Sequence, residues 1–418
     1  MQRKDGAVKR NLLIGATFVV AILGLVVAER ALEQTASAQA KTGGQVPIFE
    51  VDPFWPKTMP NNWVFGQTIG LGVDEKDQVW IIHRGNDPTN LDGTEYATPP
   101  ANPKVYYAPG TTRVSECCDP APPVVAFDQA GNVVHSWGGP TLHPDWPDSN
   151  HGIIVDHKGN VWIGGNGGPD AHILKFTREG KFVGMFGKKG ARMVDGKAVA
   201  NSNDMDNFGR VAKVFIDPKA NEAYVADGYF NKRVAVVDMD SGKIKRYWGA
   251  YGNKPDDAPI GRYDPKAPLV QQFRTPVHCA ELSNDGFVYV CDRPNDRIQV
   301  FTKDGKFVKE KQLFPETLSD GSVWDIAFSR DPKQQFIYVA DGANEHVYIV
   351  NRETLDIVSQ FGTGGRQPGQ FRGVHSIATD SKGNLYTTET YTGKRLQKFV
   401  FKGMGARQQG VPWPTTKP

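Results

Sequence analysis

Six times along the chain a short apolar run ends in a turn and is answered by a second run of β-branched and aromatic residues. The first runs are Ile69–Asp74, His151–Asp156, Ala212–Asp217, His278–Ser283, Trp324–Ser329 and His375–Asp380. The second begin at Val79, Val161, Ala223, Val288, Ile337 and Leu385, after turns of Asp, Asn, Gly, Pro and Lys. Such pairs of runs predict β-hairpins. Third runs follow at Val124–Phe127, Ile173–Phe176, Val234–Val237, Ile298–Phe301, Val347–Val350 and Leu396–Phe399, with outer runs at Asn132–Trp137, Lys181–Phe186 and Asp356–Phe361. Four antiparallel strands per unit, six units, and a period of roughly 45–65 residues predict an all-β six-bladed β-propeller over residues 45–403. The sixth unit lacks an outer strand after Gly403, and Val46–Val51 is expected to supply it, because an open last blade leaves a pairing edge exposed. Residues 404–418 read as a C-terminal tail.

The start of each first strand and the end of each second strand share one face. The long connections Gly85–Pro123, Gly138–Asn150, Lys188–Arg210, Gly249–Thr275 and Gly362–Gly373 emerge there, whereas the opposite turns are short, so function is expected on the elaborated face. Insertion 85–123, with Tyr96, Tyr106, Tyr107 and Cys117-Cys118, is expected to roof it. His151, His278 and His375 open units two, four and six, while Ile69, Ala212 and Trp324 stand at the same register in the others. Alternate blades of a six-fold ring lie about 120° apart, so three imidazoles converge on the axis. Three neutral imidazoles with an open position are the donor set of a catalytic zinc-type site, although nitrogen donors suit several divalent transition ions. Asp227, Asp292 and Asp341, at the ends of second strands, read as ties that accept backbone N–H groups from the next loop.

Composition narrows the alternatives. Formal net charge is +3, with no basic stripe, which excludes a nucleic-acid partner. Arg3, Lys4, Lys9 and Arg10 precede an apolar stretch from Leu12 to Ala28 and small residues at Ala36-Ser-Ala38 and Ala38-Gln-Ala40. Residues 1–44 are therefore expected to be a secretory signal or an N-terminal anchor, which would be the chain's one membrane contact, with the body exported (periplasmic or secreted). Four cysteines are too few for a disulfide framework. Cys279 and Cys291 fall on adjacent strands, and register alone decides whether they meet.

The repeats look like NHL repeats, and the polar constellation resembles that of the peptidyl-α-hydroxyglycine α-amidating lyases. Those are six-bladed propellers that use a three-histidine zinc site to split a carbinolamide into an amide and glyoxylate. The matching segments are Ile82-His-Arg84-Gly, His151-Gly152-Ile153, Asp227-Gly-Tyr229-Phe-Asn231-Lys-Arg233, His278 with Asp292-Arg-Pro-Asn-Asp-Arg-Ile298, and His375. The resemblance implies zinc on the three histidines and catalytic roles for Tyr229 and Arg84. Tyr229 is expected to be a general base, with its pKa lowered by the cation and Arg84, and Arg293 or Arg233 to help hold a substrate carboxylate. The family's pattern has Pro before its first and third histidines, where Asn150 and Val374 stand, Met at the place of Gly373, and a calcium-linked Asp at the place of Ser376. A small-molecule or peptide substrate, a structural Ca2+ and a monomeric state are the associated expectations. The competing expectation is a non-catalytic NHL-type binding or scaffold propeller.

Overall fold

The computed structural model describes residues 44–85, 117–408 and 410–413. The expected signal or anchor, Tyr96, Tyr106, Tyr107 and most of the 85–123 insertion lie outside them. The fold is six four-stranded sheets arranged as propeller blades. Their first strands are Thr68–Val73, Asn150–Val155, Val211–Asp217, Val277–Leu282, Asp325–Phe328 and Val374–Thr379, within a residue of the expected runs. Two outer strands that no apolar run announces, Ile244–Trp248 and Phe307–Gln312, complete blades 3 and 4.

Blade 6 is ordered Val46–Asp52, Arg395–Gly405, Leu385–Glu389, Val374–Thr379, so the N-terminal strand does supply the missing outer strand. The main compact unit comprises Phe49–Gly403 with Gln408–Pro418, and a minor one takes the chain up to Ile48 with Met404–Arg407. Within the main unit, Phe49 and Val51 are buried against Tyr338, Phe361 and Phe399. Gln408 Nε2 donates to the Phe49 carbonyl at 2.8 Å, and the Val51 N–H donates to the Pro412 carbonyl at 2.7 Å.

The repeat has a physical basis on the plain face. Asp74, Asp156 and Asp380 end their first strands buried. Each accepts turn N–H groups and an aromatic donor from the second strand: Trp80 Nε1 at 3.1 Å, Trp162 Nε1 at 2.8 Å and Tyr386 OH at 3.0 Å. One carboxylate thus closes the hairpin and fixes the aromatic that fills the space between blades, where the apolar clusters lie. One such cluster joins Leu71, Val79 and Ile81 of blade 1 to Tyr386 and Leu396 of blade 6. Cys279 and Cys291 stand directly opposite each other, with Cα atoms 4.8 Å apart, and are bridged; Cys117 and Cys118 are bridged as well.

Candidate metal centre

Each first strand enters the axis through an irregularity. Pairing slips by one residue at Ile69, within His151-Gly152, at Ala212, at His278 and at His375. In blade 5, Trp324 sits just ahead of the paired strand and donates its N–H to the Ala340 carbonyl. A bulge re-aims the residue that carries it. The even blades therefore turn an imidazole to the axis, and the odd blades turn a backbone carbonyl toward that imidazole.

The result is a ring of three equivalent contacts. His151 Nδ1 lies 2.7 Å from the Ala212 carbonyl and His375 Nδ1 lies 2.7 Å from the Ile69 carbonyl, while His278 Nδ1 meets the Trp324 carbonyl in a short hydrogen bond. A carbonyl only accepts, so each Nδ1 carries the proton and each Nε2 keeps its lone pair for the axis. The ligand atoms all lie within 4.8 Å of one another, and the side chains are at most 3% exposed. All three pKa values are held well below the usual histidine value. Burial is the largest cause for each; Arg293 adds to all three, Arg84 to His151 and His375, and neighbouring histidines to His151 and His278. Neutral, pre-oriented imidazoles with their second nitrogen on a carbonyl fit a divalent transition ion. Among the described residues this is the one group of His, Cys, Asp or Glu so arranged.

Tyr229 leans over the ring. Its hydroxyl is 2.8 Å from His151 Nε2 and 3.0 Å from His278 Nε2. Gly228 makes this approach feasible, since a Cβ there would run into the Val277 backbone. Arg84 is fixed from three sides: Nε donates to the Asn150 carbonyl at 3.1 Å, and the terminal nitrogens reach Asn166 at 2.8 Å and Gln67 at 3.5 Å. Arg293 stacks over Trp324 at 4.5 Å and lies 3.5 Å from Asp320, with Tyr391 donating to Asp320 at 2.7 Å. Trp324 meets the His375 ring edge-on at 5.5 Å. An open cavity of about 360 Å³ lies alongside, lined in part by Leu318, Asp320, Trp324, Asn344 and Tyr391.

Several expectations change. Arg233 is not at the site: its guanidinium is fully buried and spent on Asp227 and the carbonyls of Ser202, Asp204 and Asn207. Burial pushes the Tyr229 phenol up against the opposing pull of Arg293 and Arg84, and the lowering expected from a bound cation is a separate effect. His83 is a packed histidine held between the Gly66 N–H and the Pro122 carbonyl, and burial lowers its pKa to about 4. The residues around Ser376 do not fit a calcium ion, because its hydroxyl donates to the Ile69 carbonyl at 2.7 Å in place of a carboxylate. Asp341 ties down the next loop as expected, accepting the Ala343 and Asn344 N–H groups, whereas Asp227 and Asp292 accept the Gly209 and Arg274 N–H groups from the loops that lead into their own blades. The roles of Trp324 and of the Ile69 and Ala212 carbonyls carry one sequence signal, their shared register with the histidines. Asp320 and Tyr391 carry none.

No family model matches the chain. It is 25% identical over 372 residues to peptidyl-glycine α-amidating monooxygenase B of Xenopus laevis, covering 86% of this chain and 37% of that protein. It is 24% identical over 380 residues to NHL repeat-containing protein 3 of Mus musculus, covering 89% of this chain and 86% of that one. The chain thus spans just over a third of the Xenopus enzyme's length. Among solved structures, a streptogramin B lyase aligns with a TM-score of 0.46 at 13% identity over 85% of this chain and 98% of that one, too distant to bear on chemistry. The chain is a six-bladed β-propeller similar in sequence to the peptidyl-glycine α-amidating monooxygenases and to NHL repeat-containing protein 3.

Proposed function

We propose that the protein is an exported metal-dependent lyase that splits a carbinolamide, an α-hydroxy-amide, into an amide and an α-oxo acid. The observation that carries this reading is the convergence of three lone pairs, the Tyr229 hydroxyl and two guanidinium groups on the elaborated face. His151, His278 and His375 would hold the ion, for which zinc is our assignment. It supplies a Lewis acid for the substrate's hydroxyl or carbonyl oxygen. Arg84 and Arg293 would grip the substrate carboxylate; among the described residues Arg293 Nε is buried without a hydrogen-bond partner. Tyr229 moves the proton. Its hydroxyl, set beside the ring, gives its proton to the departing amide nitrogen while its oxygen takes that of the substrate hydroxyl. The C–N bond breaks as the C=O bond forms, and the phenol is regenerated.

The matched motifs and the amidating relatives support the substrate class, a small molecule or peptide ending in α-hydroxyglycine. The N-terminal pattern and two disulfides support export. No helix among the described residues is long and apolar enough to cross a membrane. The test is glyoxylate release from an α-hydroxyglycine peptide by zinc-loaded protein beside Tyr229→Phe. The wild type should release it, and the variant should keep its metal while losing roughly 10²–10⁴-fold in rate. A metal-loaded wild type that releases none overturns the carbinolamide assignment.

A further inference from the structure

Beneath the histidine ring, on the same axis, lies a group of three charges that the proposed chemistry does not use. Lys213, Glu281 and Asp325 come from the first strands of blades 3, 4 and 5, with side chains 12%, 10% and 1% exposed. Lys213 Nζ lies 2.7 and 2.9 Å from the two Asp325 oxygens and 2.9 Å from Glu281 Oε1. Asp325 Oδ2 also accepts the Ile377 N–H from blade 6 at 3.1 Å. Lys213 and Asp325 line a narrow gap together with His151, His278 and Ser376.

The sequence neighbours of these residues give the group its meaning. Lys213 follows Ala212, whose carbonyl orients His151, and Asp325 follows Trp324, whose carbonyl orients His278. Ile377 is two residues past His375. An ion pair between residues 213 and 325 therefore fixes the separation of two of the three carbonyls, and the contact with Ile377 ties the third histidine's strand to the same frame. A buried pair is weak evidence of net stabilisation, since desolvation offsets much of the attraction. Its placement at the joints of the ring points to geometry instead.

We propose that Lys213 and Asp325 are positioning residues for the metal centre, acting through the carbonyls of Ala212 and Trp324 and the backbone of Ile377. The proposal rests on the metal-site reading above, and Co2+ as the probe keeps the two separable. The triple variant Lys213→Met/Glu281→Leu/Asp325→Leu replaces the whole group with apolar side chains of similar size, a change that buried ion networks often tolerate. Affinity for Co2+ and the visible absorption of bound Co2+ are compared with wild type and with Arg246→Met/Glu222→Leu, which removes an ion pair beside the plain-face turn. The axial variant should bind Co2+ roughly 10–100-fold more weakly, with a changed absorption band. The control should lose thermal stability with both readouts unchanged. Equal affinity and spectrum in wild type and axial variant overturn the proposal alone, and a wild type that binds no Co2+ overturns the metal site and the proposal with it. If the triple variant does not fold, Asp325→Asn keeps an acceptor for Ile377 while removing the charge. It must shift the readouts in the same direction, and no shift overturns the proposal.

Discussion

Gly152→Ala probes the ring through a single methyl group. A Cβ at Gly152 would lie 2.6 Å from the Ala212 carbonyl oxygen and 3.0 Å from the Lys213 Cα, whereas ordinary contact begins at 3.4 Å. The oxygen must retreat by 0.8 Å (3.4 − 2.6), which, taken directly away from His151, stretches the 2.7 Å bond to 3.5 Å (2.7 + 0.8), the limit of a hydrogen bond. Overpacking of this kind costs about 1–3 kcal/mol of stability. Loss of the contact that orients a ligating histidine costs roughly 10–100-fold in metal affinity, or about 1.4–2.7 kcal/mol. The assay is a chelator-competition titration with zinc beside a thermal melt. Gly184→Ala is the control, because nothing lies within 4 Å of a Cβ there. Gly152→Ala should melt lower and bind zinc more weakly, and the control should do neither. A variant that melts lower yet binds zinc as tightly as the wild type refutes the role assigned to the Nδ1–carbonyl contacts.

Three further outcomes are expected. Arg233→Met leaves the fully buried Asp227 carboxylate without its guanidinium and should cost about 3–5 kcal/mol in a denaturant melt with metal content unchanged; a loss below 1 kcal/mol contradicts the structural role. Burial raises the Asp296 pKa from 3.8 to about 7, so its contribution to stability is complete below about 3.8 and is lost as pH rises through about 7. Asp296→Asn, which tolerates the left-handed backbone at φ 54°, should gain on the wild type in melts as pH goes from about 5 to 8, and parallel profiles would rule this out. Deleting residues 44–52 removes buried Phe49 and Val51, about 1.5–3 kcal/mol each, and bares the edge of Arg395–Gly405. Size-exclusion chromatography should show aggregation that a peptide of the deleted sequence reverses; a monomer with an unchanged melt contradicts the closure.

Much of the fold was legible because the repeat unit advertises its own chemistry. The Asp that ends a first strand and the Trp or Tyr that answers it recur in one hairpin, and a hairpin is a local object. The histidines were legible for the same reason, as a shared register. What they touch was not, because the bulges at Ile69, Ala212 and His278 depend on how blades meet around the axis. Arg233 and Arg293 sit in similar motifs. Arg233 stands opposite Asp227 in the sheet and turns inward to pair with it, whereas Arg293 lies in the loop past Asp292 and points to the ring. The depth at which Tyr229 is buried, which pushes its phenol up, is something no motif encodes. Lys213, in a strand that reads as half exposed, finds its partners in blades 4 and 5, far along the chain.

The most direct test is the metal content of the purified domain beside His278→Ala. One zinc, or another divalent transition ion, should stay with each wild-type chain through desalting and be absent from the variant. A wild type without metal, or a variant that keeps it, contradicts a three-histidine metal centre and leaves the propeller as a binding module.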